Sequence, residues 1–136
     1  MTDSAPPPLP ALAADVLRLW LGACPLDAAA MARMQAQWFQ KDEAFDAMLA
    51  QRFSAVIEAA RAGRLDAWAD SAEGRLALLI VLDQFSRNVF RGRPASFAAD
   101  AKALAVALEG LARGHDQAVP PMARIFCYLP LEHAED

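Results

Sequence analysis

One stretch of the sequence decides the fold, and it reads Leu78-Leu79-Ile80-Val81-Leu82-Asp83-Gln84-Phe85-Ser86-Arg87-Asn88-Val89-Phe90-Arg91. It opens with five consecutive apolar residues, a pattern typical of a helix that is buried around most of its circumference. Polar and charged residues then enter the same helix. Because buried polar groups need hydrogen-bond partners, the stretch predicts a central helix whose polar side chains meet other parts of the chain or a ligand.

The polar residues of this helix fall on two neighbouring faces. Asp83 and Arg87 are spaced i, i+4 and share one face, whereas Gln84, Asn88 and Arg91 follow at i, i+4 and i+7 on the adjoining face. One interpretation is an internal ion pair between Asp83 and Arg87 that ties the helix to its neighbour. The other is a pocket for an anion or a polar small molecule, since arginine offers paired donors to carboxylate and phosphate groups.

The composition of the chain favours helices. Of its 136 residues, 56% are apolar and 22% are charged, and 32 are alanine, the strongest helix former. These values exclude collagen-like, disulfide-stapled and disordered chains. No alternating run indicates a strand. We predict an all-α fold of antiparallel helical hairpins, a tetratricopeptide-like array of about six to seven helices without a sheet. It would form one domain at 11–136 after a flexible proline-rich lead-in at 1–10.

Capping and breaking residues predict the ends of several helices. Gly22 is expected to end the first helix, and Ser71 to cap the helix that carries the central stretch. Ser96 is expected to cap the following helix, and Pro130 to break the last one. A further helix is predicted from about Asp42 to Ala62. The large aromatic residues are expected in the core: Trp20, Trp38, Phe39, Trp68 and Tyr128.

Charge and hydropathy exclude several function classes. The net charge is −4 and the pI is about 5.1, which argues against nucleic-acid binding because that requires a basic face. No apolar run reaches the roughly 18 residues of a membrane span, and no basic signal-peptide start is present. Cys24 and Cys127 have no histidine at ligand spacing. We therefore expect a soluble cytoplasmic protein with neither a metal nor a cofactor.

A second candidate site is the histidine near the end of the sequence. His133 lies among three carboxylates, so it is either a general base or an ordinary surface or capping residue. Asp136 follows at i+3, but a metal site needs three or four ligands, and only Asp83 is an obvious further donor. His115 follows Gly114 and is expected to be a loop residue.

Several short blocks occur in a fixed order: Leu17-Arg18-Leu19-Trp20-Leu21-Gly22, Trp38-Phe39-Gln40-Lys41-Asp42, Phe45-Asp46, Arg52-Phe53, Gly63 to Trp68, Leu82 to Asn88 with Arg91, Phe97 with Asp100, and Phe126 to Asp136. Together these blocks resemble a largely bacterial family known as domain of unknown function 924. The resemblance implies an all-helical, tetratricopeptide-like fold without an established activity. Family members usually continue through further helices, so it also implies that a C-terminal part is lacking here.

Three functions stay open. The first is a binding module for a peptide or a small anionic ligand, with contacts from Asp83, Gln84, Arg87, Asn88, Arg91, Arg124 and His133. The second is a hydrolase-like enzyme, with or without a metal, in which His133 is the base, Asp83 or Glu135 orients it, and Arg87 stabilises an oxyanion. The third is a purely structural protein that forms homo-oligomers through surface left by missing C-terminal helices.

Overall fold

The computed structural model describes residues 9–22 and 28–134. Most of the predicted lead-in, Cys24, Glu135 and Asp136 lie outside the described residues. The described chain forms α-helices joined by short 3-10 turns, and no strand occurs within it. The helices are α1 (Ala11–Leu21), α2 (Ala28–Phe39), α3 (Glu43–Arg61), α4 (Ala72–Leu79), α5 (Ser86–Val89), α6 (Asp100–Ala112) and α7 (Ile125–Ala134).

A continuous central helix runs through 72–89. It consists of α4, a π-helical segment at Ile80–Phe85, and α5, and the backbone stays in the right-handed helical region at both junctions. All residues from 74 to 86 are buried, because α1, α3, α6 and α7 all pack against this helix. The prediction of an all-α fold around a buried central helix is confirmed. The tetratricopeptide-like arrangement stays a prediction.

Aromatic side chains join the central helix to α1, α2 and α7. The buried ring of Trp20 packs edge-on against Phe85 at 5.7 Å and against Phe126 at 5.8 Å between ring centroids. Trp38 meets Phe126 at 5.0 Å, and its indole nitrogen donates a 2.6 Å hydrogen bond to the carbonyl of Trp20. Trp68 is also buried, as predicted. The core prediction was wrong for Phe39, which is 56% exposed at the end of α2, and for the exposed Tyr128.

The predicted boundaries hold where a capping side chain or glycine fixes the helix end. Asp42 accepts a 3.1 Å hydrogen bond from the Phe45 amide at the start of α3. Ser71 accepts a 3.0 Å bond from the Gly74 amide at the start of α4. Gly22 follows α1 with a φ of 68°, a left-handed value that favours glycine.

Two predicted boundaries were wrong. Ser96 does not cap α6, because Pro94–Phe97 forms a separate 3-10 turn in which the Ser96 hydroxyl donates to the carbonyl of Arg93. Pro130 does not break the last helix but lies buried inside α7. Packing of α7 against its neighbours therefore stabilises this helix by more than the hydrogen bond missing at proline destabilises it. The uninterrupted helix carries its last turn back toward the central helix. No described helix has the length and apolar character needed to cross a bilayer.

Candidate functional site

The carboxylate of Asp83 is the centre of a polar cluster inside the helix packing. Asp83 lies in the π-helical segment and is 1% exposed. Its Oδ1 accepts a 2.8 Å bond from Nη1 of Arg87 and lies 2.7 Å from Nδ1 of His133. Its Oδ2 accepts a 2.7 Å bond from the Gln84 side chain. Both carboxylate oxygens are therefore engaged without any bound molecule.

Arg87 links this carboxylate to a second one on α6. Its Nη1 and Nη2 donate 3.0 Å hydrogen bonds to Oδ1 and Oδ2 of Asp100, so the planar guanidinium faces the carboxylate with both ends. Asp83, Gln84, Arg87, Asp100 and His133 are called the Asp83 cluster below. They join the central helix, α6 and α7 at one point. The guanidinium also lies 5.4 Å from the ring centroid of Phe97, a residue that is 61% exposed.

The contact between His133 and Asp83 fixes which ring nitrogen is free. An ionised carboxylate only accepts hydrogen bonds, so Nδ1 of His133 carries the proton at the 2.7 Å contact. In the neutral ring, Nε2 is then left with a lone pair, and it makes no hydrogen bond to any described residue. The His133 side chain is 23% exposed, against 2% for Asp83. The partly exposed ring thus has a proton acceptor that no described residue engages.

The charges of the cluster do not favour an anion. The two carboxylates of Asp83 and Asp100 and the guanidinium of Arg87 sum to a formal charge of −1 when His133 is neutral. Nη1 of Arg87 lies 2.8 Å from Asp83 and 3.0 Å from Asp100, so one guanidinium bridges the two carboxylates. Within residues 9–22 and 28–134, no group of three or more His, Cys, Asp or Glu side chains is arranged to hold a metal.

The structure brings only part of the predicted ligand-binding set together. Asp83, Gln84, Arg87 and His133 meet in the cluster, and their partners are given above. Asn88 is buried on the neighbouring face, and its side chain bonds to no described residue. Arg91 instead pairs with Asp46 of α3 at 3.0 Å. Arg124 donates to the backbone carbonyls of Asp116 at 3.0 Å and Gln117 at 3.4 Å, so it ties a loop to α7.

The sequence interpretation missed two acidic partners, one of Arg87 and one of Arg91. Asp100 pairs with Arg87, and Asp46 pairs with Arg91. Each acid stands in one of the sequence blocks on which the family resemblance rests. A signal was available, because partly buried guanidinium groups need carboxylates or carbonyls to replace water. Spacing alone did not show which acid each arginine would meet.

A second polar network surrounds Arg75 on the other half of the central helix and was not predicted. The Arg75 side chain is 2% exposed and donates four hydrogen bonds. Two go to the backbone carbonyls of Val106 and Ala69, at 2.8 Å each. The others go to Nδ1 of His115 at 2.9 Å and to Oε1 of Glu109 at 2.7 Å. His115, at the loop after Gly114, is thus a partner of this arginine.

Groups next to this network are unsuited to nucleophilic chemistry. Burial raises the pKa of the Cys127 thiol to about 11, so it stays protonated at neutral pH and is a poor nucleophile. The Tyr128 hydroxyl donates a 2.7 Å bond to Oδ2 of Asp116, which raises the pKa of the phenol. The same bond, with one from Gln117, lowers the pKa of Asp116. These bonds fasten the loop at 115–118 to α7.

The chain is thus an all-α protein in which a buried aspartate of the central helix binds a histidine and an arginine. A family model described as bacterial protein of unknown function (DUF924) matches residues 16–136, and the chain belongs to this family. A solved structure from Agrobacterium tumefaciens, the protein of unknown function ATU0120, is similar, with a TM-score of 0.81 and 45% sequence identity. The match covers 93% of this chain but 66% of that one. No curated protein matches the sequence.

Proposed function

We propose that the protein is an acid–base enzyme of hydrolase type, in which His133 is the general base and Asp83 orients it. The observation that carries this proposal is the 2.7 Å contact between Nδ1 of His133 and Oδ1 of Asp83. A carboxylate in this position holds the imidazole in one tautomer and stabilises the imidazolium that forms when Nε2 takes a proton. The same pairing recurs in hydrolases of unrelated folds.

The surroundings of the pair support a chemical role over simple packing. Arg87 by itself already supplies a positive partner for the buried carboxylate, at 2.8 Å. The additional histidine keeps 23% of its side chain exposed, so its free nitrogen is open to a substrate or a water molecule. Asp83 also lies in a π-helical segment, a feature found frequently at functional sites.

Arg87 would act as the electrophile beside the base. Two carboxylates hold its guanidinium in place, while its Nε makes no hydrogen bond within the described part of the chain. That N–H donor is available to polarise a substrate carbonyl as water attacks it. Because the cluster carries one net negative charge, a neutral or cationic substrate fits it better than an anion. The hypothesis of a small anionic ligand is therefore less favoured at this site.

Ester hydrolysis measured with and without the histidine tests the proposal. We expect wild-type protein to hydrolyse p-nitrophenyl acetate faster than buffer, and His133→Gln to lose about 100-fold or more of that excess rate. The matched control is His115→Gln, which removes the other histidine of the chain and should keep the rate within about twofold. Equal rates in the two variants would contradict a catalytic role for His133.

Nitrogen-15 NMR of the imidazole rings tests the geometry independently of any substrate. We expect neutral His133 to carry its proton on Nδ1 in wild-type protein, and to lose this preference in Asp83→Asn. His115 accepts a hydrogen bond at Nδ1 and should show the opposite tautomer in both proteins. If His133 is protonated on Nε2 in the wild type, the orientation required for catalysis is absent and the proposal fails.

A further inference from the structure

A basic groove lies at the end of α3, and its lining shares no residue with the Asp83 cluster. It has a volume of about 520 Å³ and is open to solvent. Arg61, the last residue of α3, and Arg64 line it together with Glu58 and Phe90. None of these residues belongs to the cluster proposed to carry the reaction. The groove is therefore a candidate site distinct from the proposed reactive one.

The arginines of this groove have no acidic partner. Nη2 of Arg61 donates a 2.7 Å bond to the backbone carbonyl of Ala95, and Nε of Arg61 is buried without a hydrogen-bond partner. Burial lowers the pKa of this guanidinium, and no carboxylate offsets that effect. The Arg64 guanidinium is exposed and bonds to no described residue. Glu58 forms no ion pair with either arginine within the described part of the chain.

A third guanidinium lies beside the groove. Arg61 and Arg93 both stack on the ring of Phe90, with Cζ atoms 4.7 Å and 5.0 Å from its centroid. Arg93 makes one further bond, of 3.2 Å, to the carbonyl of Val89. Two like charges held against one ring repel each other unless an anion or solvent compensates them. Most of the donor positions of these arginines are left for an external acceptor.

This concentration of positive charge is unusual for the chain. The protein as a whole is acidic, with a net charge of −4. Three other arginines each pair with at least one carboxylate: Arg75, Arg87 and Arg91. The groove and the ring of Phe90, by contrast, bring together Arg61, Arg64 and Arg93 with one acidic residue, Glu58. Their formal charges sum to +2. A phosphate monoester carries nearly two negative charges at neutral pH and matches that value, whereas a single carboxylate does not.

We propose that the groove formed by Arg61, Arg64 and Phe90, with Arg93 beside it, binds a phosphate group. The planar guanidinium groups supply donors suited to phosphate oxygens. The volume of about 520 Å³ accommodates inorganic phosphate or the phosphate end of a small organic molecule. The site does not depend on the acid–base role of His133, and its ligand differs in charge from the substrate expected there.

Titration with inorganic phosphate and with phenyl phosphate at constant ionic strength tests this site. We expect saturable shifts of the amide NMR signals of 57–64 and 90–93. The Arg64→Ala variant should weaken binding roughly tenfold, because it removes a charge-assisted hydrogen bond. The exposed Arg64 side chain makes no hydrogen bond or ion pair with a described residue, so this variant should keep the wild-type melting temperature. If inorganic phosphate binds more tightly, the site is one for free phosphate. If phenyl phosphate binds more tightly, the site is one for a phosphate ester.

The matched control is Arg33→Ala, which removes one exposed positive charge from α2, away from the groove. We expect its affinity for either ligand to stay within about twofold of the wild type. An equal loss in the two variants would mean that binding follows overall charge, and it would overturn the proposal. So would signal shifts that map elsewhere, or the absence of saturable shifts with both ligands.

Discussion

The central helix carries two arginines whose surroundings differ in kind. Arg75 is almost fully buried and gives two of its four hydrogen bonds to backbone carbonyls of neighbouring elements. Arg87 is 22% exposed and is held mainly by the carboxylates of Asp83 and Asp100. The first arginine joins α4 to α6 and to the turn before α4 through neutral and charged acceptors. The second is balanced by ionised groups that also bind a histidine.

The difference separates a structural network from a candidate reactive one. Around Arg75, the histidine accepts a hydrogen bond at Nδ1, and its own pKa is lowered by burial and by nearby positive charge. Around Arg87, the histidine donates from Nδ1 to a carboxylate and keeps Nε2 free. The two histidines of the chain thus have opposite tautomers for physical reasons. Four predictions test how far this contrast extends.

Removal of Arg75 should have the largest effect. We expect Arg75→Ala to lower the free energy of unfolding by about 3–5 kcal/mol, because it leaves a cavity in place of a large buried side chain and removes its four hydrogen bonds. Arg87→Ala should cost less, about 1–3 kcal/mol, since Asp83 keeps its bonds from Gln84 and His133. Urea denaturation followed by circular dichroism measures both. A larger loss for Arg87→Ala would reverse the assignment of roles.

The space for the Arg75 side chain depends on a glycine of α6. A Cβ atom at Gly110 would lie 2.6 Å from Cδ of Arg75, so the arginine must move in Gly110→Ala. We expect this variant to be less stable by about 1–3 kcal/mol, although glycine to alanine within a helix ordinarily stabilises by about 1 kcal/mol. In an Arg75→Ala background, which has no atom at the position of Cδ, the penalty should disappear. An unchanged penalty there would show that Arg75 is not its cause.

The acidic partners of the two arginines should differ in importance. We expect Asp100→Asn to lower the free energy of unfolding by about 1 kcal/mol, because it weakens a two-point contact with Arg87. Glu109→Gln should leave the melting temperature nearly unchanged, since Glu109 is exposed and Arg75 keeps three other acceptors. Thermal denaturation of both variants at pH 7 compares them. Equal losses would remove this distinction between the networks.

The smallest effect should be a pH dependence due to His115. Its pKa is lower in the folded protein than the unfolded value of about 6.5. As the pH falls through about 6.5, the unfolded chain therefore binds the proton first, and the free energy of unfolding decreases. Below the folded pKa the loss is complete. Parallel urea denaturation curves of wild type and His115→Gln from pH 8 to pH 5 should converge in stability as the pH falls. An unchanged difference would contradict this linkage.

Much of the fold could be predicted because it depends on local signals. The apolar run before Asp83 identified the buried helix, and the caps at Asp42 and Ser71 act within one helical turn. The prediction that Pro130 ends the last helix was wrong, because packing outweighed the local effect of proline and cannot be read from the sequence. That error mattered, since the uninterrupted α7 is what brings His133 to Asp83.

The candidate site could be predicted only in part. His133 and Asp83 are 50 positions apart, and the enzyme hypothesis requires that they meet, but their spacing in the sequence does not show that they do. The partners of Arg91 and Arg124 were not predictable, because several acids and carbonyls lay within plausible reach. Arg75 gave no signal at all. It is a single arginine in an alanine- and leucine-rich stretch, and two of its partners are backbone carbonyls, which every residue possesses.

The π-helical segment at Ile80–Phe85 lies between the two arginines of the central helix. A π segment contains one residue more than the regular α-turns it replaces. Because the wider turn absorbs that residue, the helical turns before and after it keep nearly the same rotational phase. Deletion of a single residue within the segment would therefore restore regular α-turns and leave the directions of Arg75 and Arg87 around the helix axis nearly unchanged. The π segment is thus the place where the central helix can change its length by one residue without rotating one half against the other.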